Sequence, residues 1–489
     1  MKSTTAIRPS RSASTYDLVV LGGGAAGSVA ASSAVSRGAR VAMIERWKIG
    51  GTCLNAGCDP TKTLVRSAEI QHLIRNSRDY GIVTGESHVD WPAVMRRVQD
   101  VIDTIRGGDG DANVRASGVE LYKGSGRFRS AHEIEVNENV LVSDKVIVAT
   151  GAATFIPTIA GLHETGFITN LEAVELKQLP SSMAIVGGGP IAIEFAQIFA
   201  RFGVQVTVIG SRDRILPREE PELSDALQEI LRNEGVRIET GVRITAARRE
   251  GNAKILSGDQ AEAPFSVSAD EILIAAGRRP VVHGLGLDAA GVDYHTGGVQ
   301  VDEFMRTTAP NIWAAGDVTG DLPFTHVADD QARIAEANAL GNGRQEAYDG
   351  YAIPWATFTD PELARVGLTQ REAIEAGFDI ATATVRMRSM PRAITGKQTS
   401  GQVKLIADRA TGLILGGHIL AAHGAELLSE VVLAMRSRLP VSAIARSIHA
   451  YPTLSESVFW AAVDLDRQLS QISPVTATEW RPETGVQAA

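Results

Sequence analysis

Cysteine is almost missing from this chain. Its 489 residues hold two, Cys53 and Cys58, and both lie in GGTCLNAGCDPTK at 50–62. That scarcity excludes a secreted disulfide scaffold and favours a thiol pair kept in a reducing compartment. Positive charge is also short, with 48 Lys and Arg against 57 Asp and Glu and a net charge of −9. Such a balance lacks the cationic face that grips a phosphate backbone, so no nucleic-acid partner is expected. No stretch of 18 or more strongly apolar, Gly-poor residues occurs, so no membrane span is expected. The opening MKSTTAIRPSRSAST and the following LVVLGGGAAGSVAASSA have the outline of a signal peptide. Three consecutive glycines between a strand pattern and a helix pattern fit a folded βα unit better, and a cytoplasmic protein is expected.

What is present is a globular chain, 44% apolar, too long for one compact core. Residues 1–15 read as a flexible tail. DLVVLGGGAAGSVAASSAVSRGARVAMIE then reads strand, Gly turn, helix, strand, ending at Glu45. The same order returns roughly 160 residues later in SMAIVGGGPIAIEFAQIFARFGVQVTVIG, 182–210. KVIVATGA (145–152), EILIAAGRRP (271–280) and NIWAAGDVTG (311–320) are apolar strands closed by Gly turns. Beyond about residue 350 the pattern becomes extended segments followed by strand–turn–strand–helix, a separate α+β domain. No low-complexity linker intervenes, and RGGDGDANV (106–114) marks a loop or helix break.

Gly22-x-Gly24-x-x-Gly27 opens the first helix, and Glu45 closes the strand after it. The glycines permit a tight turn and the approach of a pyrophosphate to the helix N-terminus, while an acid there can accept both ribose hydroxyls. The alternative is an incidental Gly-rich turn. In the second copy, Gly187-x-Gly189-x-x-Ala192, the strand ends in Gly210 followed by Ser211, Arg212 and Arg214. With no carboxylate to repel a 2′-phosphate and a guanidinium to pair with it, NADPH is favoured; surface arginines in a loop are the plain alternative.

Three readings of the cysteine pair stand at this point: an inert pair, a metal loop, or a redox disulfide. Five residues of ideal helix rise about 7.5 Å, past the usual disulfide Cα separation of at most about 7 Å. The segment must therefore enter its helix through a distorted start, which Gly50, Gly51 and Gly57 permit. Cysteines near a helix N-terminus gain thiolate character. A zinc site would want further Cys or His ligands nearby, and none is close in sequence.

GGTCLNAGCDPTK closely resembles the redox motif of the flavin-dependent pyridine nucleotide–disulfide oxidoreductases. Together with the paired Gly-rich units, ATG, AAGRRP, GD and YPTLSE, the resemblance runs from Asp17 to about Leu469. It implies an α/β chain with two Rossmann-like dinucleotide-binding domains, for FAD and NADPH, and a C-terminal α+β dimerisation domain. The expected boundaries are 16–155 with 281–348 for FAD, 156–280 for NADPH, and 349–489 for a domain that completes the partner's active site in a homodimer. By the same resemblance Cys58 faces the flavin as a thiolate and Cys53 exchanges with substrate. Lys62 pairs with Glu194 near the flavin. Gly126, Thr150 and Gly151 approach FAD, Asp317 holds its ribityl chain, and His326 ends a turn against its ring. Gly51, Thr52 and Gly277 join this cofactor-binding set.

Two departures bear on chemistry. Asp59 follows Cys58 where the family has an apolar or small residue, and a carboxylate there tends to raise a thiol pKa unless it points to solvent. Tyr451 stands where dithiol-processing members carry His, with Glu456 retained and His449 two positions earlier. His449 is expected to be structural rather than a substitute base. Tyr at this position is shared with mercuric reductase-like members, so a soft metal ion is the expected acceptor. The gap in that reading is a missing C-terminal cysteine pair and a missing N-terminal metal-binding domain. The alternatives are a lipoamide- or glutathione-type disulfide oxidoreductase and a low-turnover FAD-binding redox sensor.

Overall fold

The computed structural model describes residues 14–341, 343 and 345–470. It divides into two compact units: residues up to Gly350 with Thr357–Asp360, and Tyr351–Ala356 with the residues from Pro361 onward. Of the expected tail, residues 1–13 lie outside the described residues, whereas Ser14–Tyr16 forms a strand alongside Asn139–Ser143.

In the first unit, five parallel strands run in the order Ile312–Ala314, Val146–Val148, Leu18–Leu21, Val41–Glu45, Glu120–Lys123. Strands covered on both faces must be apolar throughout, and these are. Alternation decides which side chain goes where. Leu18, Val20, Val41, Met43 and Ile147 pack against the alanine-rich helices Ala25–Ser36 and Thr325–Leu340. Val19, Leu21, Ala42, Ile44 and Val146 face the opposite way, onto Phe128, Ile134 and Leu141 of an antiparallel layer. Each such buried Val, Leu, Ile, Met or Phe side chain is worth about 1.5–3 kcal/mol relative to exposure.

A second parallel sheet repeats the pattern in four strands: Arg237–Glu239, Gln205–Ile209, Ser182–Val186, Glu271–Ile274. In both sheets the strand before the Gly turn lies centrally, so the turn opens at the strands' C-terminal edge, where such sheets bind ligands. A three-stranded antiparallel meander from Val242 to Ala269 is inserted before the last strand.

The second unit is built on antiparallel strands Glu362–Gly367, Ile414–Ala421, Gln402–Asp408 and Ile380–Arg386. Helices Gly424–Arg436 and Glu456–Ser470 cover it through Leu428, Val431, Val458 and Leu465. Among the described residues, no helix is long and apolar enough to cross a membrane.

Candidate redox site

The glycine turns are shaped by close approach. A Cβ at Gly22, where φ is +112°, would sit 2.2 Å from the Ala149 carbonyl oxygen, and at Gly187, where φ is +142°, 2.2 Å from that of Ala275. Gly27 allows its helix to lie on the strand, since a Cβ there would meet the Gly22 oxygen at 1.9 Å. The N-caps of the two helices are Gly24 and Gly189, and neither has a capping side chain. Their first-turn N–H groups are therefore free of side-chain acceptors and suited to a pyrophosphate. A Cβ at Gly189, Gly151 or Gly277 would meet no protein atom within 4 Å. These features fit a dinucleotide on each fold.

The carboxylate of Glu45 is buried and accepts the N–H groups of Gly23 at 2.6 Å and Trp47 at 2.5 Å. Each oxygen keeps lone-pair capacity for a ribose hydroxyl. Gly126 serves packing: a Cβ would press on Leu21 at 2.8 Å and on Ile44. Thr150 donates to the Val281 carbonyl at 2.8 Å, and Gly151 accepts the Val281 N–H at 2.9 Å. Asp317 lies 3.5 Å from Arg278, and burial pushes its carboxyl pKa up. The His326 ring stacks on Phe324 at 5.5 Å. In the second fold, Ala192 is fully buried, while Ser211 and Arg212 have exposed side chains. The Arg212 carbonyl accepts the Gly241 N–H at 2.7 Å, which fixes the backbone of the loop. Arg214 is 3.6 Å from Asp225 and so already has a carboxylate partner.

The cysteines sit on two helices. Cys53 lies in Gly51–Ala56 with Thr52, and Cys58 opens Cys58–Arg75. The break falls at Gly57, with φ −127° and ψ −113°. A Cβ there would lie 2.8 Å from the Thr52 carbonyl oxygen and 3.2 Å from the Cys53 Cα, so a side chain would force the two turns apart. Both thiols are free. Thr325 donates to the Cys53 sulfur at 3.1 Å and lies 3.6 Å from that of Cys58.

Cys58 has its pKa lowered to about 6, first by a hydrogen bond from Cys53, against a burial cost, then by Thr325 and the charge of Lys62. Asp59 opposes this but is the weakest of these influences, so the effect expected of it is outweighed. The same shared proton, with burial, pushes the Cys53 thiol up. Both shifts favour a proton on Cys53 and the thiolate on Cys58. Lys62, one turn along from Cys58, lies 2.8 and 3.0 Å from the two oxygens of Glu194.

In the second unit Tyr451 is 73% exposed, and Glu456 is buried with the Thr453 N–H on its carboxylate at 3.1 Å. His449 is hydrogen-bonded to Glu430 at 2.9 Å and packs on Phe459. That arrangement suits a residue holding its loop.

Several contributors had no sequence signal. Thr325 is 272 positions from Cys53. Asn55 donates to the carbonyls of Ile49 and Gly51 and accepts from Arg106 at 2.7 Å, bracing the cysteine loop. Asn170 donates to the Ala56 carbonyl at 2.8 Å, satisfying the end of the Cys53 helix. The only cue is their residue type, since Asn and Thr commonly bond backbone.

Two dinucleotide folds together with a thiol pair whose Cys58 pKa is lowered mark a nucleotide-dependent thiol redox enzyme. Residues 16–332 match the pyridine nucleotide-disulphide oxidoreductase family, and 353–462 match its dimerisation domain. The chain is 37% identical to a mercuric reductase of Streptomyces lividans, over 94% of this chain and 98% of that one. It is 34% identical to a dihydrolipoyl dehydrogenase of Chlorobaculum parvum, over 92% and 97%. The solved copper(II) complex of RclA, an HOCl-induced flavoprotein disulfide reductase of Escherichia coli, is similar with a TM-score of 0.83. That similarity has 32% identity and covers 94% of this chain and all of that one. The chain belongs to the pyridine nucleotide-disulphide oxidoreductase family, whose members bind FAD and depend on a pyridine nucleotide. Its dimerisation domain supports a homodimer.

Proposed function

We propose that this flavoprotein carries electrons from NADPH through FAD to the Cys53–Cys58 pair and on to a soft metal ion, in the cytoplasm. The observation that carries the reading is the thiol pair, with Cys58 favoured as thiolate, in a chain with tyrosine at 451. The first fold takes FAD, with Glu45 for the ribose and Asp317 for the ribityl chain. The second takes NADPH, with Arg212 for the 2′-phosphate and no acid at Gly210.

FAD, when bound, supplies the chemistry that turns a hydride from the nicotinamide into an electron pair for the disulfide. The Cys53–Cys58 bond breaks, one proton goes to Cys53, and Cys58 is left as thiolate beside the Lys62 charge. A soft cation then binds sulfur, displacing the Cys53 proton to solvent. Mercury(II) takes both electrons as the S–S bond re-forms; copper(II) takes one, so two copper ions are reduced per disulfide. No proton need be delivered to the metal.

Reducing a disulfide differs, because the leaving thiolate wants a proton from a group with pKa near 7. Histidine, about 6.5, suits this, and tyrosine, about 10, does not. The relative named mercuric reductase and the copper(II) complex of RclA support the metal reading. The retained Glu456 and the dihydrolipoyl dehydrogenase relative favour a second reading, a disulfide oxidoreductase.

Steady-state NADPH oxidation with Hg(II), Cu(II), lipoamide and glutathione disulfide separates the two. The metal reading expects turnover with a metal ion, poor turnover with both disulfides, and a gain in disulfide reduction in Tyr451→His. Efficient lipoamide or glutathione disulfide turnover without metal-ion activity would overturn it.

A further inference from the structure

Helix Pro190–Arg201 carries three polar side chains, Glu194, Gln197 and Arg201, spaced by three and four positions and so on one face. All three are buried, and all three grip one strap of chain, Thr357–Asp360, which packs within the nucleotide-binding unit. Glu194 accepts the Phe358 N–H at 2.8 Å. The Gln197 amide makes a two-way pair with the backbone of Asp360, donating to its carbonyl at 2.8 Å and accepting its N–H at 2.8 Å. Arg201 reaches the Asp360 carboxylate at 2.9 Å and its carbonyl at 3.2 Å, and is held from the other side by Glu234 at 2.7 and 2.8 Å. Between these anchors the Phe358 ring comes within 4.5 Å of the Lys62 ammonium.

We propose that this strap is a positioning device for Lys62. The lysine stem is flexible, and its side chain keeps 34% of its exposure, so Glu194 alone would leave the ammonium free to swing. The ring adds a second attractive contact, and a charge held by a carboxylate and an aromatic face has one favoured place. Glu194 is fixed in turn, because one oxygen is shared between Lys62 and the Phe358 N–H. Gln197 and Arg201 act at one remove, by holding the strap. A buried Arg with two acids adds little stability over apolar packing; here it sets where an aromatic ring lies. Phe358, Gln197 and Arg201 are thus positioning residues for the Lys62 charge next to Cys58.

The inference rests on the reading that Cys58 is a thiolate facing bound flavin, and the test separates the two. The purified holoenzyme is reduced by two electrons, and its long-wavelength thiolate-to-flavin absorbance is recorded with the stopped-flow rate of flavin reduction by NADPH. No such absorbance in the wild type overturns the thiolate reading. If the band is present, Phe358→Leu, which keeps the backbone N–H, should weaken it and slow flavin reduction about two- to fivefold, the range expected from losing one cation–π contact. In a Lys62→Gln background the same substitution should change neither, because its effect runs through Lys62. A normal band and rate in Phe358→Leu, or an undiminished effect in the Lys62→Gln background, overturns the strap as a positioning device. Should Phe358→Leu fail to retain FAD, Gln197→Met makes the same comparison with the ring still in place.

Discussion

The two dinucleotide folds of this chain use one backbone device and two recognition chemistries. At Gly22 and at Gly187 a left-handed turn passes 2.2 Å, measured from the absent Cβ, under the carbonyl of the neighbouring strand. In both, an uncapped helix N-terminus follows. They part at the end of the next strand. The first has the buried carboxylate of Glu45, tied to the turn by the Gly23 N–H. The second has Gly210, then the exposed Ser211 and Arg212. The shared part concerns the pyrophosphate, common to all dinucleotides. On the proposed reading, the divergent part concerns the ribose, where phosphorylated and unphosphorylated cofactors differ.

The largest expected effect breaks the shared device on one side at a time. Gly22→Ala should yield protein without flavin, whereas Gly187→Ala should keep FAD but slow its bleaching by NADPH at least about tenfold, a barrier change of about 1.4 kcal/mol. Flavin content by absorbance and stopped-flow reduction check both. Loss of flavin in Gly187→Ala would show that the folds are not separable in this way.

The next sharpens the divergent part. Arg212→Ala should raise KM for NADPH about tenfold or more and leave NADH nearly unchanged, as expected for losing a charge-assisted hydrogen bond of about 1.5–3 kcal/mol. Gly210→Glu should move preference further toward NADH. A Cβ at 210 meets its nearest atoms at 3.8 and 3.9 Å, so the backbone accepts it. Equal effects on both cofactors would remove the 2′-phosphate role from Arg212.

The last test concerns the thiol pair itself. Because the Cys58 pKa is lowered to about 6, its thiolate should persist as pH falls from 9 and be lost only on passing through about 6. Titrating the long-wavelength absorbance of the reduced enzyme reads this directly. A midpoint near 9 would mean that Cys53 and Thr325 do not share their protons with Cys58 as described.

Much of the fold was legible, because strand, Gly turn and helix follow one another locally and leave a period in the sequence. The strands expected in KVIVATGA, EILIAAGRRP and NIWAAGDVTG lie at Val146–Val148, Glu271–Ile274 and Ile312–Ala314. The strand–turn–strand–helix pattern near the C-terminus lies at Gln402–Asp408, Ile414–Ala421 and Gly424–Arg436. The distorted entry to the cysteine helix followed from helix rise set against the reach of a disulfide, though the break itself centres on Gly57. The bracing groups were not legible. Thr325, Asn170 and Phe358 act on residues far away in the chain through one hydroxyl, one amide and one ring. Such contacts depend on where packing leaves a loop, and no local period announces them.

The break at Gly57 has a further consequence. By interrupting the helix between them, it leaves Cys53 and Cys58 both within reach of one Thr325 hydroxyl, neighbours for which closing a bond is an encounter already made. Each sulfur meets the other at an effective concentration far above any thiol in solution, since orientation has been settled by the fold. On the proposed metal-ion reading, a bound ion would have to compete for either sulfur with its fellow, and the re-forming S–S bond would displace it once reduced. On the same reading, substituting Gly57 would loosen that competition and slow release of the reduced ion.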